Sequence, residues 1–97
     1  MAIRLSNLAT VLRDQGDLAG ARERYERALE IDLAAYGPEH PKVAIRLNNL
    51  GEVLREQGDL TGARERFERA LRIFQHFLGD DHPNTQTVRR NLESLDT

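Results

Sequence analysis

Residues 12–18 read LRDQGDL, and residues 54–60 read LREQGDL, the same phrase 42 positions on. Within each copy an apolar stretch leads into a glycine, and an aspartate follows at once. Gly16 and Gly58 suit the left-handed conformation that ends a helix. Asp17 and Asp59 suit the start of the next helix, where a carboxylate accepts backbone N–H groups. The phrase therefore reads as the joint of a helix hairpin, written twice.

Working outward, Ala2–Val43 laid over Ala44–Thr85 gives 26 identities in 42 positions. Most of the differences are mild, such as Asp14/Glu56, Tyr25/Phe67 and Ser6/Asn48. A third copy begins at Gln86 and keeps Asn91 and Leu92. A period of this length marks stacked units, each unable to bury its apolar face alone. Leu5, Leu8, Ala9 and Leu12 fall on one helical face, and Leu47, Leu50, Gly51 and Leu54 repeat it. The second helix of each unit carries Leu18, Ala21, Tyr25, Ala28 and Leu29, then Leu60, Ala63, Phe67, Ala70 and Leu71. The longer connections, YGPEHP at 36–41 and LGDDHP at 78–83, stop one helix at glycine and start the next at proline. The pattern predicts an all-α chain of five helices, about 2–15, 18–36, 41–57, 60–78 and 83–95. It is one domain over 1–97, with repeats at about 2–43 and 44–85 and a capping segment at about 86–97.

Composition narrows the function. The 97 residues carry 14 basic and 16 acidic side chains, a balance that gives no electrostatic footprint for nucleic acid or an acidic membrane. No apolar run approaches the roughly 20 residues of a membrane helix. The absence of a basic-then-apolar leader makes a cytoplasmic setting the expectation. There is no cysteine, hence no disulfide, zinc thiolate or cysteine nucleophile. No phosphate loop, zinc-ligand motif or catalytic triad is written into the repeats, so no enzyme activity and no cofactor or metal are expected. His40 and His82 sit in equivalent turns, where capping is the natural role. In ARERYERALE and ARERFERALR, Arg22/Glu26, Glu23/Arg27, Arg64/Glu68 and Glu65/Arg69 read as ion pairs on a solvated outer face.

These residues resemble tetratricopeptide repeats. The carriers are Leu5, Leu8, Ala9, Leu12, Gly16, Ala21, Tyr25 and Ala28, with the second copy bringing Gly51 and Phe67. The 42-residue spacing, LNNL at 47–50 and the HP pairs at 40–41 and 82–83 are similar to the long-helix variant of kinesin light chains. The resemblance implies a right-handed α-solenoid whose first helices line a concave groove, and a non-enzymatic scaffold binding an extended peptide or partner segment there. A structural, regulatory or self-assembling segment of a larger signalling protein is the alternative. The chain opens directly in a first helix without a preceding HP turn, which reads as a piece of a longer array.

In the groove so placed lie Ile3, Ser6, Asn7, Thr10, Arg13 and Asp14 of the first unit. The second contributes Ile45, Asn48, Asn49, Glu52, Arg55 and Glu56, and the third Thr87, Arg90, Asn91 and Ser94. Asn7, Asn49 and Asn91 recur at one offset. An amide offers both donor and acceptor, so it can pair with the backbone of an extended guest without reading its side chains. Helices about 8–10 Å apart and a strand rise of about 3.3 Å per residue would bring an asparagine to about every third guest residue. The resemblance implies the same role for these three positions; shaping the stack is the alternative. The carboxylate clamp of chaperone-cofactor repeats is not matched, since only Asn49 of that set is present. Phe74, Phe77 and Leu78 replace Asp32, Ala35 and Tyr36. They are expected either to pack beneath the last helix or to form a patch for self-association into a homodimer. Arg89 replaces the core Leu5 and Leu47, so the last helix should bury only Val88, Leu92 and Leu95.

Overall fold

The paired glycines and aspartates do two jobs each. A computed structural model describes residues 1–96, and in it Gly16 and Gly58 have φ of 86° and 87°. The Gly16 N–H donates to the Arg13 carbonyl at 3.0 Å, and the Asp17 N–H to the Leu12 carbonyl at 2.8 Å. These two hydrogen bonds close the first helix. The Asp17 carboxylate then accepts the Gly20 N–H at 2.9 Å, capping the second helix. Gly58, Asp59 and Gly62 repeat the arrangement. One aspartate thus ends a helix with its backbone and starts another with its side chain.

Five helices result: α1 Ala2–Asp14, α2 Leu18–Tyr36, α3 Pro41–Glu56, α4 Leu60–Leu78 and α5 Pro83–Ser94. Three of the expected helices end one residue earlier, because the residue before the turn acts as the cap. There is no strand among the described residues. Thr97, the end of the expected capping segment, lies outside them. Each helix packs on its chain neighbours, α1 on α2, α2 on α3, and so on to α5. His40 and His82 cap α3 and α5 with their rings: Nδ1 accepts the Lys42 N–H at 3.0 Å and the Asn84 N–H at 3.1 Å. The ring proton therefore sits on Nε2. Pro41 and Pro83 follow at the first helical position, where the missing N–H costs nothing.

A continuous core runs from Ala9, Ala21 and Tyr25 through Leu47, Leu50 and Leu54 to Phe67, Phe74 and Val88. Three expectations need correction. Leu8 is not core: it is 44% exposed, while its copy Leu50 is 2% exposed. Leu50 is covered by the second helix of the unit before it, and among the described residues nothing occupies that place beside α1. Phe74 takes the first of its two expected places, packed in the core at 2% exposed, with Leu78 partly buried against it and Phe77 largely open. Of the four outer ion pairs, Arg22–Glu26 is the one formed, at 2.9 Å. Arg64 instead reaches Asp96 at 2.6 Å, since exposed long side chains choose among partners of similar energy.

The third correction concerns α5. Besides Val88, it buries Thr85 completely, at the position of Val43. The Thr85 hydroxyl has no hydrogen-bond partner among the described residues. A buried hydroxyl without a partner costs about 1–3 kcal/mol. Thr85→Val keeps the shape and removes the orphaned group. It is expected to raise the unfolding free energy by about 1 kcal/mol, read from urea titration; an unchanged or lower value would mean the hydroxyl is satisfied by solvent.

Candidate protein-binding face

Side-chain bonds join the first helices of successive units along one surface. From α1, Arg13 Nε donates to Glu56 Oε1 at 2.7 Å, and Nη1 to Glu52 Oε1 at 3.3 Å. Burial by itself lowers the Arg13 pKa, yet the hydrogen bonds and charges of Glu56 and Glu52 prevail and the net shift is upward. Arg13 thus stays charged and compensates one of the two carboxylates. From α3, Arg55 donates to Ser94 Oγ at 2.7 Å and to Asn91 Oδ1 at 3.5 Å. Between the same helices Asn91 Nδ2 donates to Asn48 Oδ1 at 2.9 Å. No hydrogen bond joins α2 to α4 among the described residues. The surface of α1, α3 and α5 is therefore bridged from unit to unit by side-chain hydrogen bonds.

The recurring asparagines do not share one state. Asn7 is exposed and Asn49 half-buried, and neither amide has a partner among the described residues. Asn91 is engaged at both ends of its amide, by Asn48 and Arg55. Arg90 is exposed, with only a long contact to Thr87 Oγ1 at 3.5 Å. Thr10 donates to the Ser6 carbonyl, so in its 2.7 Å contact with Tyr25 the phenol is the donor. That bond fixes Thr10 toward the core of its unit.

Ser6 is the groove residue the sequence reading misplaced. It is buried, and its hydroxyl accepts from Arg46 Nη1 at 3.3 Å. Arg46 Nε donates to Asp32 Oδ2 at 2.8 Å, and Asp32 is 4% exposed. This ion pair joins α2, α3 and α1. Above it lies a cleft of about 390 Å³ walled by Ile3, Ile31, Tyr36 and Ile45, with Lys42 at the rim. The matching cleft at the next junction, bounded by Ile45, Asn48, Phe74 and Thr87, holds only about 100 Å³. Phe74 stands where Asp32 stands and fills it. The signal available in sequence was the coordinated change of Asp32 to Phe74 and Arg46 to Val88 between copies.

Serial helix hairpins packed through a shared core, with first helices bridged along one face, define an α-solenoid of helix-pair repeats. The tetratricopeptide repeat family model matches residues 1–76 and again 45–95. The chain belongs to the tetratricopeptide repeat family. No curated protein sequence matches it. Repeats of this family are in general non-enzymatic modules of protein interaction. No helix among the described residues is long and apolar enough to cross a membrane.

Proposed function

We propose that the chain holds an extended segment of a protein partner along the α1–α3–α5 face, as the kinesin-light-chain-like variant of the repeat would, in a cytoplasmic setting. Asn7 and Asn49 pair with the guest backbone, and Arg90 meets a guest acceptor at the far end. The observation that carries this reading is the contrast among the three asparagines. A surface amide that shaped the stack would be bonded within it, as Asn91 is; Asn7 and Asn49 keep donor and acceptor open. Arg13, Glu52 and Arg55 serve to hold the units in register beneath the guest.

Asn49→Ala separates contact from scaffolding. Peptides captured by the wild-type chain from an array of extended sequences are expected to bind it about tenfold more weakly, the loss of one to two hydrogen bonds. The melting temperature should move little, because Asn49 makes no side-chain bond within the described residues. A large drop in melting with capture unchanged would assign the residue to the stack and overturn the reading.

A further inference from the structure

The outer edge of α1 repeats a surface that is covered elsewhere in the molecule. Met1, Arg4, Leu8, Val11 and Gln15 follow the alternating three- and four-residue spacing of a two-helix seam. The same stripe on α3, Val43, Arg46, Leu50 and Val53, is packed against α2. On α1, Leu8 and Val11 are 44% and 50% exposed. Four of the eight large hydrophobic residues that stand exposed among the described residues, Met1, Ile3, Leu8 and Val11, fall in this one segment. The opposite end of the stack has different chemistry. There Arg89, Glu93 and Asp96 occupy the positions of Leu5, Ala9 and Leu12. Arg89 donates to Asp80 at 2.8 Å and Asp96 accepts from Arg64, so two of these three charges are paired within the chain.

An apolar end does not match a polar one, and head-to-tail stacking of copies is disfavoured. A surface that meets its own image about a two-fold axis has no such conflict. Antiparallel pairing of α1 with α1 of a second copy, in the register that sets Leu8 over Val11, sets Arg4 over Gln15 and beside Asp14. Arg4 and Asp14 make no ion pair among the described residues. Arg46, the copy of Arg4, shows what this position takes: a carboxylate from the helix that covers it, here Asp32. We propose that the chain forms a two-fold homodimer through the outer edge of α1, with Leu8 and Val11 interleaved and Arg4 of each copy paired with Asp14 of the other. Asp14 and Asn7 lie on the border between this edge and the α1–α3–α5 face, so the two surfaces adjoin.

Sedimentation equilibrium from micromolar to millimolar concentration tests it. The wild-type chain is expected to pass from monomer to dimer. Leu8→Asp should remain monomeric throughout, with the melting temperature of the dilute protein unchanged, since Leu8 is already open in the monomer. Arg4→Asp should weaken the dimer about tenfold by placing like charges together, and Arg4→Asp with Asp14→Arg should restore it. A wild-type chain monomeric at millimolar concentration would overturn the proposal, as would a dimer indifferent to Leu8→Asp or a double variant no better than the single. Loss of the dimer on Phe77→Asp alone would move the contact to the end of α4. Capture of a peptide spanning residues 17–36 by a chain that does not self-associate would make a further repeat's helix the occupant of this edge, and would equally overturn it.

Discussion

Arg46→Val is expected to lower the unfolding free energy by about 3–5 kcal/mol, a large part of the roughly 5–15 kcal/mol that holds a domain of this kind together. The reason lies in what is left behind. Asp32 is 4% exposed and pairs with Arg46 at 2.8 Å. Valine would leave a carboxylate in the junction of α1, α2 and α3 with no cation, and the Ser6 hydroxyl with one partner fewer. The chain itself carries the alternative. At the next junction the equivalent positions are Phe74 and Val88, 2% and 1% exposed, in the same backbone setting. Asp32→Phe combined with Arg46→Val should therefore recover most of the loss, since an apolar pair of matching shape often equals or exceeds a buried ion pair. Urea unfolding of the single and double variants at neutral pH measures both steps. A single-variant loss under about 1 kcal/mol would show that the pair is solvated and worth no more than a surface bridge. The double variant should also close the 390 Å³ cleft to the size of its neighbour.

Much of the fold was legible because the chain states it twice. Gly16 and Gly58 have no alternative that reaches φ near 86° without strain, and Asp17 and Asp59 have no better use beside them. The apolar stripes are equally unambiguous over residues 47–54, where Leu47, Leu50 and Leu54 are all buried. Leu8 was misread because its spacing is identical to that of Leu50. Periodicity reports which face is apolar, and only the packing partner decides whether that face is covered. Thr85 was missed for the converse reason: a polar letter at a core position looks like surface.

The recurring asparagines were legible in position and not in state. The spacing placed Asn7, Asn49 and Asn91 on equivalent turns, and the structure keeps them there. What the letters cannot carry is the competition between neighbours. Asn48 replaces Ser6 in the second unit, and its longer side chain reaches Asn91, whereas Ser6 is drawn inward by Arg46. One substitution beside the recurring asparagine therefore changes the state of the asparagine in the unit that follows. The Asp32–Arg46 pair escaped notice because the two residues are 14 positions apart in different helices.

Phe67→Ala is expected to cost about 3–5 kcal/mol, the range for removing a fully buried ring. Phe67 is 0% exposed between α3 and α4 in the one unit covered on both sides, so no other helix can close over the hole. A finer test is how tightly this ring sits on Gly51. A Cβ built on Gly51 would lie 2.6 Å from the ring's Cε1, against helix α3's own preference of about 1 kcal/mol for alanine over glycine. The first unit has Ala9 and Tyr25 at these positions, and there alanine fits. The difference traces to the hydroxyl: Tyr25 is held by Thr10, whereas Glu52, the copy of Thr10, is turned toward Arg13, and Phe67 has no hydroxyl to anchor it. Gly51→Ala should therefore destabilise by about 1–2 kcal/mol, overpacking prevailing over helix propensity. Phe67→Leu, smaller at the point of contact, should be better tolerated in the alanine background than in the wild type. Unfolding measurements on the four chains of that cycle give the coupling directly; if the two substitutions simply add, the ring does not rest on Gly51, and the glycine stands in α3 for some other reason.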